Sequence, residues 1–190
     1  MKTIFIPLFF VIPSWFYLQP KVVYIQPLGD VKQSYIDTIK QSVEYFYGFK
    51  CVVKLSVPLT NELLAKSGCR YDASKILRKF KSFNNILIVT EKDIATKKDK
   101  INEWGVLGLG YRPGKTCVIS TFRMKKNVNE EKIIDRLKKV SLHEVGHNLG
   151  LDHCNKDSKC MMNDAKGTIK TIDKEKIYLC PNCKKIIGIK

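Results

Sequence analysis

Apolar and polar positions along the chain change period several times, and each change marks an element. Val22–Gln26 (VVYIQ) is a β-branched and aromatic run that predicts a strand. Asp30 followed by Gln33 has the form of a capping box, which predicts a helix from Asp30 to a stop at Gly48. Phe49–Val57 (FKCVVKLSV) alternates with a period near two and is stopped by Pro58, so it predicts a second strand. Asp72–Phe83 predicts a helix with Ile76, Leu77 and Phe80 on one face. Asn85–Thr90 and Cys117–Thr121 read as buried strands. Between them, Gly105–Gly110 (GVLGLG) lacks the Lys-Ser/Thr and following helix of a phosphate loop. Its glycines suit a strand with a close backbone approach. Asn129–Gly150, apolar at positions 133, 134, 137, 140 and 142, predicts a long amphipathic helix. Strands alternating with helices place the chain in the α/β class, with a twisted mixed sheet.

Composition leaves that picture in one piece. The 190 residues are 44% hydrophobic, enough for a single core, and no repeat or linker divides residues 21–190. Residues 1–20 stand apart. Thr3 to Pro20 carries no charge, is rich in aromatics and is flanked by Lys2 and Lys21, the layout of an export signal or short membrane anchor. Export or membrane tethering through residues 3–20 is therefore favoured over a cytoplasmic location, although Pro7 and Pro13 make a poor spanning helix. The formal charge of +16 invites a nucleic-acid reading. Yet 29 of the 34 basic residues are lysine and five are arginine, the residue better suited to base and phosphate forks. No specific nucleic-acid partner is expected, and a monomer is.

The chemistry is concentrated in one run. All three histidines fall in His143-Glu144-Val145-Gly146-His147-Asn148-Leu149-Gly150-Leu151-Asp152-His153. Four residues turn a helix by about 400°, so His143 and His147 face one ion from one side. Glu144, one step round, is placed to serve as general base toward water on the metal. Gly150 tolerates the left-handed conformation that turns the chain and returns His153. Three imidazoles leave a fourth position for water, the arrangement of a catalytic zinc.

The cysteines give a second cluster. Cys154, Cys160, Cys180 and Cys183, the last two in a C-x-x-C turn, match a tetrahedral structural zinc site. The alternative is two disulfides, which need an oxidising compartment. Zinc is favoured, because C-x-x-C spacing strains a structural disulfide. Cys51 and Cys117 lie in apolar stretches as buried small hydrophobes, and no spare histidine exists to activate a cysteine nucleophile. Two Zn²⁺ per chain are thus expected, one catalytic and one structural.

The run from His143 to Cys183 resembles the archaemetzincins, a branch of the metzincin zinc peptidases, with the signature H-E-x-x-H-x-x-G-x₃-C-x₄-C-x-M-x₁₇-C-x-x-C. The elements here are His143, Glu144, His147, Gly150, Cys154, Cys160, Met162, Cys180 and Cys183. One departure is the loop Asn155–Lys159, one residue longer than the family spacing. Val22–Gly29, Arg70–Ala73 and Trp104–Tyr111 also fall in family-like positions, so the resemblance spans Lys21 to Lys185. It implies a metzincin-like fold with a small Cys₄ zinc subregion, and it implies Met162 as the Met-turn residue beneath the catalytic zinc. It also implies an edge strand that pairs with extended substrate, for which Gly105–Gly110 is the candidate. Tyr178 is a distant candidate for oxyanion assistance, with a structural role favoured. The expected activity is hydrolysis of peptide bonds in a peptide or protein substrate. The alternative is a catalytically silent zinc protein that binds nucleic acid or other anionic partners through its lysines.

Overall fold

Alternate side chains of three strands go to opposite faces, and that alternation builds the core. A computed structural model describes residues 21–166 and 168–189; the apolar segment 3–20 lies outside them. No helix of the described residues is long and apolar enough to cross a membrane. Strands β1 (Val22–Pro27), β2 (Lys50–Val53), β4 (Asn85–Thr90), β7 (Gly108–Gly110) and β8 (Thr116–Ser120) form a sheet in the order β2-β1-β4-β8-β7. The first four in that order run parallel, and β7 closes the edge antiparallel to β8. A smaller sheet joins β3 (Tyr71–Asp72), β5 (Ile94–Lys98) and β6 (Ile101–Val106).

On one face of the large sheet, Val23, Ile25, Leu87, Val89, Cys117 and Ile119 pack in one cluster with helices α1 (Gln33–Tyr47) and α3 (Glu130–Asn148). Ile86, Ile88 and Val118, their neighbours in sequence, pack on the other face with Ile76 and Leu77 of α2 (Ala73–Lys79). Two short helices, α4 (Ile169–Lys174) and α5 (Pro181–Ile187), complete the C-terminal region. The α/β class and the mixed sheet are as expected, and helix α3, which carries His143 and His147, lies against the sheet beside its antiparallel edge.

Four local expectations need correction. The Asp30–Gln33 capping box does not form. Lys32 is the N-cap with no side-chain bond, and Gln33 bonds Asp37 at 2.9 Å instead. The second strand stops at Val53, because pairing with β1 ends at Ile25↔Val53; Leu55, on the same alternation, is exposed. Helix α2 begins as predicted, with Asp72 Oδ1 accepting from Ser74 N at 2.8 Å and Lys75 N at 3.1 Å. It ends at Lys79 and not Phe83, whose ring is 95% exposed and gives no apolar face to extend. Lastly, Gly105–Gly110 is not one strand. It divides at Leu107, with Gly105 and Val106 in the small sheet and Gly108–Gly110 in the large one.

Candidate active site

Helix α3 starts where Asn129 Oδ1 accepts from Lys132 N at 3.0 Å, and it carries two histidines one turn apart near its C-terminal end. It stops in a Schellman turn: Gly150 N donates to His147 O at 2.9 Å and Leu151 N to Gly146 O at 3.0 Å, with Gly150 at φ +99°. A side chain is strained at that φ, which is why glycine stands there. The turned chain brings His153 back. Its ring centroid lies 5.5 Å from that of His143 and 4.9 Å from that of His147, which are 4.5 Å apart. One nitrogen from each of the three rings lies within 4.8 Å of the others.

Two backbone carbonyls set the tautomers. His143 Nδ1 lies 2.7 Å from Met161 O, and His147 Nδ1 lies 2.7 Å from Leu151 O. A carbonyl only accepts, so each Nδ1 carries the proton and each Nε2 keeps a lone pair free for a metal. Burial, with His147 beside it, pushes the His143 imidazole down to about 3, and burial lowers His147 also. Both are therefore neutral near pH 7, the form that ligates.

Glu144 is buried beneath strand β7. A Cβ placed on Gly108 would overlap its carboxyl, and one on Gly110 would lie 3.2 Å from Oε2. These glycines provide the predicted close approach, to a side chain on the neighbouring helix. Oε2 has no hydrogen-bond partner among the described residues, and burial pushes the carboxyl up to about 8. Glu144 and the three histidines line one cavity of about 1120 Å³, which β7, Trp104 and Phe122 also border.

The four predicted cysteines also converge. Cys154 follows the Schellman turn, Cys160 follows the polar loop, and Cys180 and Cys183 open α5 with Pro181 at its first position. All four are buried and free, with Sγ atoms within 4.8 Å of one another. Sulfur separations of 3.7 Å (Cys154–Cys180) and 3.9 Å (Cys160–Cys183) match the ~3.8 Å edge of a tetrahedron with Zn–S of about 2.3 Å. They are far from the ~2.05 Å of a disulfide. Both donor sets thus fit zinc.

Met162 is buried under α3, and a Cβ on Gly146 would come within 2.7 Å of its sulfur, so small Gly146 lets the methionine pack directly against the helix of His143 and His147. Tyr178 does not line the cavity; its carbonyl accepts from Met161 N at 2.9 Å. Cys51 and Cys117 are buried in the core, as their apolar surroundings predicted, while Cys69 is exposed. Sequence reasoning missed the carbonyls of Leu151 and Met161, because backbone atoms leave no mark on residue type. It also missed Lys139 and Glu175, which reach the cavity wall from α3 and from just beyond α4. The spacing of Lys139, one turn before His143, was the available signal; Glu175 had none.

Comparison with known proteins gives the family and the fold. Residues 34–188 match the model of peptidase family M54. The archaemetzincin of Halobacterium salinarum is 26% identical over 174 residues, covering 86% of this chain and 97% of that one. The archaemetzincin of Nanoarchaeum equitans is 37% identical over 78 residues, 41% of this chain and 39% of that one. In three dimensions the chain is similar to the archaemetzincin of Archaeoglobus fulgidus crystallised with malonate, with a TM-score of 0.77 and 27% identity. That alignment covers 87% of this chain and 99% of the other. The fold is also that of the archaemetzincin of Methanopyrus kandleri, with a TM-score of 0.74 at 22% identity over 94% and 97% of the two chains.

Proposed function

The chain belongs to peptidase family M54 and is a zinc metallopeptidase, and from that premise we propose that Glu144 is its general base and His143, His147 and His153 its catalytic zinc ligands. The observation that carries the reading is the pair of carbonyl-bound Nδ1 atoms, which leave the Nε2 atoms of His143 and His147 as the free donors of the cluster. When bound, zinc supplies Lewis acidity that polarises a carbonyl oxygen and brings the pKa of a water to about 7. Glu144 takes a proton from water on its carboxylate and returns it to the leaving amine. Burial raises the carboxyl above the usual carboxylate range, and a zinc on the neighbouring histidines would oppose that shift and favour the ionised form that acts as the base. Gly108 and Gly110 hold backbone close over it, so little water competes for its oxygens. The open edge of β7 is the surface to which an extended peptide adds as a further strand.

Cys154, Cys160, Cys180 and Cys183 hold a second, structural zinc, which makes two per chain. Metal and thiol analysis of purified protein is expected to give two zincs and no disulfide. Glu144→Gln is expected to keep both zincs and abolish peptide hydrolysis. Undiminished turnover in that variant overturns the assignment of the base.

A further inference from the structure

Where α4 packs against α3, one buried carboxylate in the cavity lining is left over. Lys139 lies on α3 four residues before His143, so its side chain leaves the helix about 6 Å from that ligand. Its ammonium is already engaged: Nζ donates to Asp135 Oδ2 at 2.9 Å and to Ile172 O at 3.1 Å. Arg136 and Asp173, the next charges on these two elements, pair with each other at 2.7 Å. Glu175 is 6% exposed and lines the same cavity, yet its Oε1 has no hydrogen-bond partner among the described residues. Val140, Ala165, Ile169 and Ile172 are among the apolar residues that line the same cavity.

Leaving such an acceptor unmet is unfavourable, because it has given up water and gained no partner. Burial pushes the carboxyl up to about 7 even with Lys139 near enough to oppose the shift. The unused hydrogen-bonding capacity here is that of an acceptor, and the acceptor is acidic. A cavity that offers both apolar residues and an unpaired buried carboxylate suits a long aliphatic stem with a cationic head, the shape of lysine or arginine.

We infer that Glu175 is a specificity-determining residue, and that the cavity it shares with the histidine cluster takes a basic side chain of the peptide substrate against it. This rests on the peptidase reading above. The cavity lining also carries basic residues, Lys97, Lys98, Arg112, Lys125 and Lys126 among them, so the cation preference is assigned to the surroundings of Glu175 and is best read with one basic residue among neutral ones.

The test uses the full zinc-loaded chain and a peptide series in which one position is Arg, Lys, Leu or Glu, scanned through the sequence. The expected result is kcat/KM at least about tenfold higher with Arg or Lys at one position relative to the cleaved bond. That ratio is expected to fall to near one in Glu175→Gln and to be largely kept in Glu175→Asp. In parallel, n-butylguanidinium is titrated against the protein and followed by calorimetry; it is expected to bind the unsubstituted protein at least about tenfold more tightly than Glu175→Gln. Cleavage with no basic preference overturns the inference and leaves the peptidase reading standing. If no peptide in the series is cleaved, the peptidase reading fails and the titration alone decides the pocket. Equal n-butylguanidinium affinity in the two proteins overturns it.

Discussion

The histidine cluster and the cysteine cluster use the same device, donors gathered within 4.8 Å, but differ in what surrounds them. All four cysteines are buried and close on one another, so nothing but the protein can contact what they hold. The histidines border a 1120 Å³ cavity, and His153 is exposed. On the function proposed above, the difference separates a donor set that serves the fold from one that serves a substrate. It also predicts that stability and activity can be broken independently from one side and only together from the other.

The largest effect is expected at the cysteines. Cys180→Ser should lose one zinc and lower the unfolding midpoint steeply, since a structural zinc contributes on the order of 10 kcal/mol. It should also weaken metal binding at the histidines, because Met161 links the two: its carbonyl accepts from His143, its N–H donates to Tyr178 O, and Cys160 precedes it. Unchanged zinc affinity at the histidines would dissolve that link. His143→Ala sharpens the contrast from the other side, with hydrolysis abolished and a thermal midpoint near that of the unsubstituted protein. A large fall in its midpoint would erase the distinction between the two clusters.

Gly108→Ala should act within the open site alone. The added methyl displaces the Glu144 carboxyl, so kcat is expected to fall by about 10- to 100-fold with both zincs retained. Activity equal to the unsubstituted protein would mean that β7 yields.

A pH series on metal-stripped protein separates two opposing groups at the same site. His143, held down to about 3 against a usual 6.5, gives a stability contribution that is present above 6.5 and is lost as pH falls through that window. Glu144, pushed up to about 8 against 4.5, works the other way: its contribution is full below 4.5 and is lost as pH rises toward 8. Urea unfolding of Glu144→Gln should therefore lack the decline between 4.5 and 8; an identical profile would refute the burial argument. The smallest effect belongs to neither cluster. Asn129→Ala removes the cap of α3 and should cost about 1 kcal/mol by denaturant unfolding, without altering metal content.

Much of the open site was legible because its chemistry repeats along a helix. His143, Glu144 and His147 follow from a four-residue spacing, and Gly150 from the need to turn, so each left a mark in residue type. The cysteine cluster was legible for a related reason, as its donors are rare and closely paired. Glu175 left no such mark. It is one glutamate among 18 acidic residues, and only the packing of α4 against α3 removes its partners. The start of α1 was misread because Asp30 and Gln33 fit a local rule that tertiary contacts override: Lys32 N donates to Glu91 Oε1 at 2.7 Å, and the chain enters the helix from there. The glycine segment was half legible. Its need for close approach was evident, but its division between two sheets depends on partners distant in sequence.

The Met161–Met162 step bears on the order of events in time. Met162 O accepts from Cys154 N at 2.7 Å while Met161 O holds His143, so adjacent peptide groups face the two clusters. Once the cysteines are loaded, the carbonyl that orients His143 is already in place, and the histidines should then capture their ion without rearrangement. A mild chelator is expected to empty the histidine cluster and leave a protein that recovers activity within the mixing time when zinc is returned. A harsher one that empties both should give slow recovery, paced by refolding of residues 154–183. Equal recovery rates after the two treatments would show that the two sites load without regard to sequence.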